Sequence, residues 1–151
     1  MTTPTIPHTS SLAPKIGMRE EFLEKLQKER GSKIVTYIVS TRQGVNFQIA
    51  DDAVRIIYDH LKKLDIKSTE KVDLFLHSFG GVGVVPWKLV NLIREFSKNF
   101  EVLVPYKAYS AATLIALGAN KIIMHRMGEL GRLSTQRLLM SSIQLLLKVN
   151  K

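Results

Sequence analysis

Residues 107–118 read Lys-Ala-Tyr-Ser-Ala-Ala-Thr-Leu-Ile-Ala-Leu-Gly. The stretch places Ser110 between a strand-like run at 102–106 and an alanine-rich segment that favours helix. Ala108, Ala111 and Ala112 around it are small, so another chain can approach the hydroxyl. A serine at a strand-to-helix junction has two readings. It can cap the helix by accepting from a first-turn amide. Alternatively it can act as a nucleophile, with unused N–H groups of the helix start facing a developing negative charge.

Working outward, the apolar run at 74–77 ends in a turn that carries Gly80, Gly81 and Gly83. Gly81 and Gly83 after a strand suggest a dinucleotide fingerprint, but its third glycine falls at position 86, which is Pro86, so the match fails. A strand, glycine pair and helix followed by a strand, serine and helix set backbone N–H groups beside a hydroxyl. Attack on a carbonyl needs that pairing, because preset donors must hold the oxyanion.

The rest of the chain supplies the frame. Met18, Phe22, Leu23 and Leu26 are spaced for a helix over 18–30, and Gly31 follows as a stop. Residues 33–40, rich in β-branched and aromatic side chains, read as a strand. Asp51 and Asp52 open a helix with Val54, Ile57, Tyr58, Leu61 and Leu64 on one face. Acidic residues in a first turn suit the helix dipole, so this pair reads as capping rather than a carboxylate dyad. His60, near the helix's end, suits its opposite pole. Strands follow at 72–77, 101–106 and 121–125, separated by helices at 84–98 and 110–117. Pro86 lies in the first turn of the former, with Trp87, Val90, Ile93 and Phe96 expected inward. Strands alternating with helices imply right-handed crossovers and a parallel sheet, with binding groups at the carboxyl ends of strands. His77, Gly80, Gly81 and Ser110 all fall at such ends.

With 151 residues the chain is one domain's worth of sequence. It has no cysteine, which removes thiol nucleophiles, disulfides and cysteine-bound metals. No apolar stretch reaches the ~18–20 residues a membrane span needs, and the N-terminus lacks a signal-peptide pattern. The expected location is cytoplasmic. The formal charge of +9 raises nucleic-acid binding. However, Glu20, Glu21, Glu24 and Glu29 alternate with Arg19, Lys25, Lys28 and Arg30 as on a solvated helix face, and no nucleic-acid motif accompanies the charge.

Three separated segments carry a resemblance. They are Leu-His-Ser-Phe-Gly-Gly at 76–81, Ala-Tyr-Ser-Ala-Ala-Thr-Leu-Ile-Ala-Leu-Gly-Ala at 108–119 and Lys-Ile-Ile-Met-His-Arg-Met-Gly-Glu-Leu-Gly at 121–131. Together they resemble the Clp protease/crotonase superfamily, and within it the serine dehydrogenase proteinase family, relatives of signal peptide peptidase. The resemblance implies a crotonase-like α/β spiral of β-β-α units with a mainly parallel sheet. It further implies a serine peptidase acting on peptides or proteins without cofactor or metal, assembled as a homo-oligomer. Ser110 matches the nucleophile, and Gly80 or Gly81 with the Ala111 N–H matches the oxyanion hole. Phe79 stands where relatives often carry a polar or basic residue. The base stays open among His125, a lysine in the region of Lys148 and Lys151, and a residue absent from this chain. His77 is a weaker candidate for the base and reads as a turn residue under the glycine pair.

Residues 1–17, with three prolines, many hydroxyl side chains and His8, read as an unstructured arm. After Gly131 the chain runs Arg132-Leu-Ser-Thr-Gln-Arg137, where relatives read Pro-Ile-Asp-Pro. One codon set for these residues spells Pro-Ile-Asp-Pro-Thr in another frame. Residues 132–151 are therefore expected to be a frameshifted tail on a truncated domain spanning 18–131, a reading the gene's nucleotides decide. A non-catalytic assembly or binding protein is the alternative to a peptidase. Acyl-CoA chemistry of the crotonase type is a third class served by the same kind of oxyanion hole.

Overall fold

Alternate residues of Lys71–His77 point to opposite faces of a sheet in which that strand, β2, is an inner one. Val72, Leu74 and Leu76 on one face are completely buried and so is Asp73 on the other, as expected for a parallel strand covered on both faces. A computed structural model describes residues 16–40, 44, 47–67, 70–131 and 133. The chain divides into two compact units, Met1–Arg30 and Gly31–Lys151. The first contains helix α1, Ile16–Arg30, which starts two residues before the expected position. Its Met18 and Phe22 are exposed. Apart from Ile16 and Gly17, the expected arm lies outside the described residues, as does the tail apart from Leu133. His8, Lys148 and Lys151 lie outside them too.

In the second unit, β1 (Ser32–Ile38), β2, β3 (Asn99–Val104) and β5 (Lys121–Met124) form one parallel sheet in the order β1-β2-β3-β5. The register sets Val35, Leu74, Val102 and Ile122 in one row across it. Asp73 is a buried carboxylate inside this sheet, and the Ser32 hydroxyl donates to it at 2.7 Å. Such a partner is what allows a polar group to stay in a core.

Helices α2 (Asp52–Lys63), α3 (Val85–Phe96) and α4 (Ala111–Leu117) connect the strands. Ile57 and Leu61 of α2 and Leu89, Val90 and Ile93 of α3 are buried. Trp87 departs from the expected pattern: it is 36% exposed, because Pro86 in the first turn sets the inward face on Pro86, Leu89, Val90 and Ile93 instead. Asp51 departs too. It makes no side-chain cap bond to α2 and instead accepts from Lys88 Nζ at 2.6 Å. Asp52 accepts the Ala53 amide at 2.9 Å.

A second, shorter layer was hidden in the run expected as one strand over 101–106. That run ends at Val104, and the chain then forms β4, Lys107–Ala108, which pairs in parallel with β6, Glu129–Leu130. Isolated parallel bridges extend the layer, Ser78 with Ala108 and Ile49 with Gly81. Each turn of chain thus lays down a long strand, a short extended segment and then a helix. The architecture is an α/β spiral of β-β-α units with a parallel sheet.

Candidate active site

Ser110 lies between the short strand β4 and α4. Six of the seven residues of α4, Ala111 to Ala116, are buried. A helix this short is unstable alone, so tertiary packing fixes where it starts. The serine is the residue before the helix rather than its first member, with φ 52° and ψ −116°. Its hydroxyl makes no cap hydrogen bond, so the capping reading fails. That backbone conformation lies outside the regions open to L-residues and is held by its neighbours. Tyr109 N–H donates to Ser78 O at 3.0 Å, Ala112 N–H to Tyr109 O at 2.9 Å and Leu114 N–H to Ser110 O at 3.2 Å. With only two turns in α4, its dipole is weak, and the individual amides carry the electrostatics.

The glycine pair meets the serine here. Gly80 has φ 111°, and a Cβ on it would lie 2.7 Å from Ser110 Cβ and 3.2 Å from Ser110 Oγ. Only a bare Cα fits against this side chain. Gly81 is required for a different approach, since a Cβ there would lie 2.2 Å from Ile49 O.

The four polar groups of this corner are not equivalent. Gly80 N–H donates to Ser78 Oγ at 3.0 Å, and Gly80 O accepts from Ile49 N–H at 2.8 Å. Among the described residues, Gly81 N–H and Ala111 N–H have no acceptor. Ser110 is half-buried, and among the described residues its Oγ has no hydrogen-bond partner. The corner therefore carries two uncommitted donors and one uncommitted hydroxyl.

The histidines are placed otherwise. His125 follows β5, is exposed, and its Nδ1 accepts from Met127 N–H at 3.3 Å within its own turn. It makes no hydrogen bond to Ser110 among the described residues. His77 ends β2 rather than sitting in the glycine turn. Its Nδ1 lies 3.0 Å from Lys107 O and 3.3 Å from Lys107 N, so either tautomer ties β2 to β4.

An aromatic cluster beside the serine has no counterpart among the expected site residues. Tyr109 stacks on Phe79 with centroids 5.6 Å apart, and Tyr106 stacks on His77 at 5.9 Å. The Lys107 ammonium lies over the rings of Tyr106, Tyr109 and Phe79 at 4.8, 5.6 and 5.7 Å. Its pKa is raised above the ordinary lysine value, first by a hydrogen bond with Tyr106. That direction keeps it charged and unsuited to accept a proton. Tyr109 OH donates to Glu129 Oε2, and this bond raises the phenol's pKa. The signal was the spacing Tyr106-Lys107-Tyr109, legible only once β4 is recognised as a strand.

Among the described residues there is no group of three or more His, Cys, Asp or Glu able to hold a metal, and no helix long and apolar enough to cross a membrane. The chain is similar to two uncharacterized proteins of Methanocaldococcus jannaschii. One is 25% identical over 141 residues, covering 83% of this chain and 47% of the relative. The other is 22% identical over 132 residues, covering 81% and 43%. The chain thus spans less than half the length of these curated relatives. Residues 4–151 match the model of the ClpP-like SDH-type serine proteinases, and with the parallel spiral and its serine–glycine corner in place, the chain belongs to that family.

Proposed function

We propose that this chain is a serine peptidase-like hydrolase that cleaves peptide bonds. Ser110 Oγ attacks the carbonyl carbon, and its proton passes to a base. The carbonyl oxygen becomes an oxyanion held by the amides of Gly81 and Ala111, with Gly80 shaping the corner. The C–N bond then breaks with proton return to the amine, and water hydrolyses the acyl-enzyme. The observation that carries the reading is the strained, uncapped Ser110 packed against Gly80. A serine held off its cap, beside donors without acceptors, has no structural use for its conformation. The proposed base is His125 or a residue outside this chain. The substrate is a peptide or protein, and the working state is a homo-oligomer.

A fluorophosphonate probe tests this. Ser110 is labelled in the full chain, and Ser110→Ala abolishes the signal. Absence of labelling overturns the reading. It would favour the second one, a non-catalytic assembly or binding protein, which gains support from the lack of a hydrogen bond between Ser110 Oγ and any basic nitrogen among the described residues.

A further inference from the structure

We infer that Ser78 is a positioning residue that selects which amide of the double-glycine corner is presented to the oxyanion. The inference rests on the hydrolase reading and adds to it the device that sets its geometry. Ser78 is completely buried, although a serine at the mouth of a turn is ordinarily solvated. It uses all three of its polar groups on the two segments that form the corner. Its N–H donates to Lys107 O and its C=O accepts from Tyr109 N–H, both at 3.0 Å. These bonds bracket Ala108 and reach the residue directly before Ser110. Its Oγ accepts from Gly80 N–H at 3.0 Å and lies 3.4 Å from Gly80 O.

The consequence concerns the direction of the next peptide. Gly80 has φ 111°, a region that glycine enters and leaves at little cost. Nothing in its own chemistry therefore holds the peptide between Gly80 and Gly81. Ser78 Oγ holds the Gly80 N–H, which belongs to the peptide before Gly80, and Ile49 N–H holds Gly80 O at 2.8 Å in the peptide after it, so both peptides flanking Gly80 are fixed and the second cannot turn by rotation at Gly80. The N–H left over is that of Gly81. A buried hydroxyl thus turns a flexible glycine pair into a fixed donor, as electrostatic preorganisation requires. The same bond removes the Gly80 amide from competition for the oxyanion.

The experiment measures fluorophosphonate labelling rates, resolved into a saturation constant KI and a maximal rate kinact, for the full chain and two variants. Ser78→Ala lowers kinact roughly tenfold or more while KI stays near wild type, because the oxyanion donor and not probe binding is disturbed. Ser78→Thr, which keeps the oxygen acceptor, recovers most of kinact. An unchanged kinact in folded Ser78→Ala overturns the inference while leaving the hydrolase reading intact. A wild-type chain that never labels overturns the hydrolase reading instead. Amide hydrogen exchange on the unmodified chain gives a readout that needs no variant to fold. The Gly80 N–H exchanges slowly and the Gly81 N–H fast; the reverse order overturns the inference whatever the probe shows.

Discussion

Ser110 sits at φ 52° and ψ −116°, a placement that costs on the order of 1–3 kcal/mol for an L-residue. A glycine there relieves the strain, whereas alanine keeps it. Ser110→Gly therefore raises the unfolding free energy by about 1 kcal/mol in a denaturant titration, and Ser110→Ala leaves it nearly unchanged; both lose labelling. An equal effect of the two would show that the backbone is not strained. Gly80 behaves oppositely. Alanine there must adopt φ 111° and push a methyl to 2.7 Å from Ser110 Cβ and 2.9 Å from Tyr109 O. Gly80→Ala loses about 2 kcal/mol or more and falls to background labelling. Tyr109 offers a test of its pairing with Glu129. Because that hydrogen bond holds the proton on the phenol, Tyr109 ionises at a higher pH than an ordinary tyrosine. Glu129→Ala brings its deprotonation to lower pH in an ultraviolet difference titration. No change between the two curves would mean the bond does not form.

The elements hold the site through a few cross-connections rather than through their own propensity. Arg94 of α3 donates from Nε and Nη2 to Gly118 O at 3.1 and 2.8 Å, closing the carbonyl end of α4, the helix that begins after Ser110. A charged, two-pronged bond of this kind is worth about 1.5–3 kcal/mol. Arg94→Ala therefore destabilises by about 2 kcal/mol in urea unfolding, and Arg94→Lys restores less than half because it lacks the fork. A change below about 0.5 kcal/mol would show that α4 is held by its buried face alone. The long strands were legible in the sequence because β-branched and apolar residues run together in β1, β2 and β3, and the amphipathic spacing of α2 and α3 was equally plain. The second layer was not, since β4 and β6 have only two residues each; two residues carry no period. Nor was Ser78, whose role depends on a parallel bridge to Ala108, a distant position in the chain that only the folded spiral brings near. Ser110 and the glycine pair were legible because two such junctions follow one another, strand–Gly-Gly–helix and then strand–Ser–helix. Their contact was not, because it depends on the segment after β2 bridging to β4 in the second layer.

At the scale of the whole chain, charge and exposed apolar surface oppose each other. The formal net charge is +9 on 17.1 kDa, enough for like molecules to repel at low ionic strength. Against this, β5 is an outer strand of the four-stranded sheet, and an outer strand can recruit a further strand. Ile38 at the end of β1 is 60% exposed, and Met124 at the end of β5 is 42% exposed. Salt decides between the two forces, because it shortens the reach of charge to about 10 Å at 0.1 M while leaving apolar burial in place. Sedimentation equilibrium therefore shows mainly the 17.1 kDa monomer in dilute buffer and a rising average mass as salt increases toward ~0.5 M. Lysine at these two exposed positions, in an Ile38→Lys/Met124→Lys variant, keeps the chain monomeric across that range. A mass that falls with salt would mean that ion pairs, not strand edges and apolar contacts, join the copies. A mass that never leaves the monomer would remove self-association of this segment altogether, and with it the homo-oligomer as the state in which Ser110 acts.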